Sequence, residues 1–126
     1  MAFKFAVAVA AVVLMAACAL PGSSTTCSNT SIDWINFIQV GSTQYVAGAA
    51  SPPVVLQESD LGPVYTHVKF NVSRNVCDPS YQLKDGDAAF LDAGTPVYQV
   101  SGHPAGAELA ARFNGSIVAY FAIPAR

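Results

Sequence analysis

The stretch "ELAARFNGSIVAYFAI", Glu108 to Ile123, decides the fold. At its centre lies Asn114-Gly115, the pair that tolerates positive φ at both corners of a type I′ turn. Such a turn reverses the chain in two residues and fixes which residues face each other. It predicts Phe113 opposite Ser116, Ala111 opposite Val118 and Leu109 opposite Tyr120. The second arm is apolar on both faces, which places it inside a sheet or beneath a second layer. The element is therefore an antiparallel hairpin with a central strand.

Working outward, short β-branched and aromatic runs ended by turn residues recur, and no long helical period appears. "SIDWINFIQV" (Ser31 to Val40) is rich in strand formers, and Gly41-Ser42 before "TQYVA" has the spacing of a tight hairpin, glycine first as a II′ turn requires. "VYTHVKFNVS" (Val64 to Ser73) alternates strictly. It puts Val64, Thr66, Val68, Phe70 and Val72 on one face and Tyr65, His67, Lys69, Asn71 and Ser73 on the other. "SDLGP" predicts one helical turn closed by Gly62, within the long Ala47–Pro63 connection that Pro52 and Pro53 keep out of regular pairing. The expected architecture is all-β: a small antiparallel barrel or sandwich of six or seven short strands linked by hairpins.

The N-terminus has a different character. Lys4 precedes an uncharged apolar run, Phe5 to Ala17, of 13 residues, where about 20 are needed to span a bilayer. Its length and flanks are those of a signal-peptide core. The run ends in "LMAAC", with Met15, Ala16 and Ala17 before Cys18. This resembles the lipobox of bacterial lipoprotein signal peptides, and the resemblance implies a lipid on Cys18; Met15 stands where leucine is usual. Ordinary secretion is the competing reading, because Ala17-Cys18-Ala19 also offers small residues for cleavage. "LPGSSTTCSNTS" then reads as a tether. The expected organisation is a signal peptide over 1–17, a flexible tether over 18–30 and one β-domain over 31–126.

The chain has three cysteines, an odd number for an exported protein. Lipid on Cys18 leaves Cys27 and Cys77 to form a disulfide in an oxidising compartment, restricting the unfolded chain by ~4 kcal/mol in the entropic account. The formal net charge is −2, and loss of Lys4 makes the mature chain more acidic. No basic patch is available for phosphates, so nucleic acid is not an expected partner. Membrane association would come through the lipid, since no polybasic segment exists. "NTS", "NVS" and "NGS" match the N-glycosylation sequon; on the bacterial lipoprotein reading they are chance Ser/Asn content in loops and strands.

Candidate chemistry concentrates in "KDGDAAFLDAGTPVYQVSGH", Lys84 to His103. Asp85, Asp87 and Asp92 stand beside glycines and Pro96, where turns want aspartate for backbone reasons. A calcium loop needs a fixed series of oxygen ligands that this segment lacks, and zinc needs three or four convergent ligands. Only His67 and His103 are available, and both are expected to be exposed. No metal or cofactor site is expected, and no catalytic residue is assigned. The same stretch resembles a group of small uncharacterised bacterial lipoproteins with a "DGDAAFLPAGTPVYxVKGY"-like core before "RLAAR". Asp85 to Leu91, Ala93 to Tyr98 and Leu109 to Arg112 match, while Asp92, Ser101 and His103 depart; the resemblance implies no activity.

The sequence thus leads to an envelope-anchored, non-enzymatic lipoprotein that binds an envelope protein or wall component. Tyr65, His67 and Lys69 and the Ala47–Pro63 connection are its candidate binding surfaces. The alternative is a small secreted hydrolase using Asp85, Asp87 or Asp92 as acid and base, which requires them to converge in a pocket. An inhibitor presenting a rigid loop has the same sequence features as the first reading.

Overall fold

A computed structural model describes residues 32–48 and 52–124. Cys18, Cys27, the signal segment and the tether lie outside the described residues.

The chain folds as β1 (Phe37–Val40), β2 (Thr43–Val46), β3 (Val55–Leu56), a 3-10 turn (Glu58–Asp60), β4 (Leu61–His67), β5 (Phe70–Asn71), α1 (Val72–Asn75), β6 (Asp87–Ala88), β7 (Pro96–Val100), β8 (Glu108–Phe113) and β9 (Ser116–Ala122). The class is all-β, as expected, and one mixed sheet curls into a half-barrel. Strand order is β4-β7-β8-β9-β2-β1-β6-β5, with β3 paired to β9. Among the described residues there are nine strands rather than six or seven; three have only two residues, too short to register as alternation. All pairs are antiparallel except β5 with β6.

Both hairpins follow from their turn residues. Asn114 and Gly115 have φ of 50° and 79°, and Phe113↔Ser116, Ala111↔Val118 and Leu109↔Tyr120 are the observed partners. Gly41 has φ of 58°, and Val40 faces Thr43 across Gly41-Ser42. Strand β9 lies inside the sheet, between β8 and β2, as its two apolar faces require.

The long strand expected over 64–73 is not continuous. Register shifts against β7 fall on either side of Val64, and each bulge moves later side chains to the other face. Val64 is consequently exposed while Val68 and Val72 are buried. The run then breaks at Val68–Lys69, and Asn71 caps α1 by accepting a hydrogen bond from the Arg74 N–H at 3.1 Å. That cap buries Asn71, which alternation had placed on the wet face. The expected helical turn near Gly62 is present but ends at Asp60. The Asp60 carbonyl accepts from the Ser101 N–H at 2.8 Å, and Leu61 already pairs with Val100, so the backbone is drawn into β4.

The inner face of the curl carries the main core, with Ile38, Tyr45, Val97, Leu109, Val118 and Tyr120. On the outer face Phe37, Val46, Val72, Val76 and Ala89 form a second cluster. A third places Val100, Ala110 and Ile117 under Leu56 and Leu61. The segment from β3 to β4 therefore serves as an outer cover for β7, β8 and β9. Among the described residues no helix is long and apolar enough to cross a membrane.

Candidate functional site

The two end strands of the sheet, β4 and β5, are consecutive in the chain. The two-residue crossing Val68–Lys69 is therefore the seam where the ends of the curled sheet meet. Both aspartate-bearing turns clasp it. On one side the Val68 N–H donates to the Thr95 carbonyl at 2.9 Å, and the Gly94 N–H donates to the Val68 carbonyl at 2.7 Å. On the other, the Lys69 N–H donates to the Gly86 carbonyl at 2.8 Å, and the Gly86 N–H donates to Gln39 at 2.8 Å. The segment singled out for chemistry is thus the closure of the fold.

Each aspartate has a separate task there. Asp85 accepts from the Gly41 N–H at 2.7 Å and from the Lys69 ammonium at 2.7 Å, joining the β1–β2 turn to the seam. Those two bonds, the Gly41 N–H first, hold its carboxyl below the usual range. Asp87 is 2% exposed. One of its oxygens accepts from the Lys84 N–H at 2.8 Å and the Tyr81 hydroxyl at 2.9 Å. Burial, with Asp87 second, raises the Tyr81 phenol. Asp92 forms an exposed ion pair with Arg74 of α1 at 2.6 Å, while its carbonyl closes the 92–95 turn by accepting from Thr95 at 3.1 Å. Asp85, Asp87 and Asp92 thus each have their own hydrogen-bond or ion-pair partners.

Gly86 shows how tightly the seam is drawn. Its φ is +88°, and a Cβ there would lie 2.5 Å from Cγ and Cδ of Lys69. Lys69 crosses directly over the glycine to reach Asp85.

Of the proposed binding strip, Tyr65, His67 and Lys69 are all exposed. Lys69 is committed to Asp85, and Tyr65 acts electrostatically on the Tyr45 phenol. His67 stands opposite Pro96. His103 is exposed, as expected, and it has a partner. Its Nδ1 lies 3.0 Å from an oxygen of Glu108, whose side chain is 7% exposed. The Tyr45 hydroxyl donates to the Ala105 carbonyl at 2.9 Å, holding the same loop. No sequence signal distinguishes that Glu108 from a solvent-facing strand residue; only the strand pairing turns it against the loop.

Arg112 grips Glu58 with both guanidinium arms, one at 2.8 Å. The bond holds the Glu58 carboxyl below its ordinary value and fastens the outer cover to β8. Tyr120 donates to Asn36 Oδ1 at 3.1 Å, and burial pushes its phenol up to about 12. Among the described residues no three His, Cys, Asp or Glu side chains gather as a metal-binding group.

No family model matches this chain, and no curated protein and no solved structure matches it either.

Proposed function

We propose that the protein is an envelope-anchored lipoprotein whose β-domain is a non-enzymatic binding or structural module, akin to the small bacterial lipoproteins its 85–98 core resembles. The observation that carries the reading is the separate structural employment of Asp85, Asp87 and Asp92 at the seam. A hydrolase working through these carboxylates would need two of them to converge on one substrate atom with separated pKa values. The "LMAAC" motif supports the anchor, and an even count of remaining cysteines supports a Cys27–Cys77 disulfide.

The anchor is tested by growing cells with a clickable fatty acid. Label on the wild-type chain and none on Cys18→Ala is the expected result; label retained on Cys18→Ala would refute it. Non-reducing mass spectrometry tests the bridge, and two alkylatable thiols at Cys27 and Cys77 would reject it. Tyr65→Ala/His67→Ala should weaken recovery of an envelope partner or wall fraction by the purified protein. Undiminished recovery would remove that strip as the binding surface.

A further inference from the structure

A second surface follows from the register of the outer face. Phe121 faces Val46 on one side and Glu108 on the other. Ile123, two residues on and therefore on the same face, is held by its N–H to Gln44. On the other side of Phe121, the Val54 carbonyl accepts from the Ala119 N–H. The Ala47 N–H bond to Asn36 extends the β1–β2 ladder and sets Ile35 across from Gly48, against which Pro53 packs. The result is an apolar strip through Ile35, Pro53, Val54, Phe121 and Ile123. Its large members are 53% exposed at Ile35, 44% at Val54, 37% at Phe121 and 40% at Ile123. Beside it Glu108 is turned to His103 rather than into the strip.

We infer that this strip is a membrane-docking face, seated on the headgroup–acyl boundary of the bilayer that carries the anchor. The inference rests on the lipid reading of Cys18. It is favoured by position: Ile35 lies a few residues beyond 18–30, the segment read from sequence as a tether. A lipid on Cys18 would make contact between the domain and the bilayer an intramolecular event, at an effective concentration that a dilute soluble partner lacks. Trp34, half-buried against Phe37 with ring centroids 6.1 Å apart, adjoins the strip, and tryptophan favours the membrane interface. The net charge of −2 offers no attraction to anionic headgroups, so apolar burial supplies the docking and zwitterionic lipid suffices.

Trp34 is the single tryptophan, so its emission reports this site alone. Protein bearing its own lipid is reconstituted into phosphatidylcholine vesicles with brominated acyl chains. Trp34 emission should be quenched relative to unbrominated vesicles. Phe121→Ser/Ile123→Ser, with an unchanged Tm, should shift the docked-to-undocked ratio about tenfold toward undocked, and Ile35→Ser, which precedes β1, should act in the same direction. In parallel, Cys18→Ala protein is held to nickel-chelating lipid by an N-terminal histidine tag. Quenching there supports the docking face even if fatty-acid labelling fails, so the two readings fail separately. Unquenched Trp34 in both formats, or quenching that the substitutions leave intact, overturns the proposal. So does sedimentation equilibrium showing that the strip instead pairs two copies of the chain.

Discussion

Gly86 and Lys69 illustrate what the seam demands of single residues. A methyl group at Gly86 meets the Lys69 side chain and also forces a positive φ on an L-residue. Gly86→Ala should therefore destabilise the protein by about 1–3 kcal/mol through backbone strain alone, read as a lower urea midpoint with unchanged m. Tyr120 makes a second prediction. Its phenol is raised above the ordinary value of 10.0 to about 12, so the protonated form is the one the fold favours. That contribution is fully present below pH 10 and is lost as pH rises through 12, and ultraviolet titration should find one tyrosine ionising later than the rest. The turn roles of Asp85 and Asp92 were legible from their neighbours, because glycine and proline advertise reversals. The depth of Asp87 was not, since nothing local says that Tyr81 and the Lys84 N–H converge on it. The same holds for the partner of His103.

Among elements, the hairpins were the most legible part because two residues set both turn and register. Replacing Gly115 with valine should cost about 1–2 kcal/mol, since the left-handed corner penalises a Cβ. The strand over 64–73 was legible only in composition. Its bulges and the break at Val68–Lys69 answer to β7 and to the aspartate turns, partners distant in sequence. The outer cover was likewise invisible locally, because β3 is two residues long and its anchor is Leu56 in the third cluster. Leu56→Ala should lower stability by about 1–2 kcal/mol. Glu58→Ala should change Tm little, because its pair with Arg112 is exposed and screened by solvent. Thermal melts of the two variants side by side separate apolar anchoring from charge pairing.

At the scale of the molecule, a curled sheet with consecutive end strands is held shut at one crossing, and carboxylates do part of the holding. Asp85, Asp78 and Glu58 all titrate below their ordinary values of 3.8, 3.8 and 4.5. A depressed carboxyl stabilises the fold above its unfolded pKa and loses that contribution as pH falls through the folded one. These carboxyls should thus leave stability flat between about pH 5 and pH 10 and make it decline below about pH 4, with Asp85→Asn removing part of the decline. The claim on which the functional reading depends is that the three aspartates near the middle of the chain serve structure. Equilibrium urea unfolding of Asp85→Ala, Asp87→Ala and Asp92→Ala tests it most directly. Asp87→Ala should cost the most, about 1–3 kcal/mol, because it removes a buried carboxylate that accepts two part-buried hydrogen bonds, from the Lys84 N–H and the Tyr81 hydroxyl. Asp85→Ala should cost less and Asp92→Ala least, as exposed pairs do. A stable Asp87→Ala protein, or one more stable than wild type as residues kept for chemistry often give, would contradict the account.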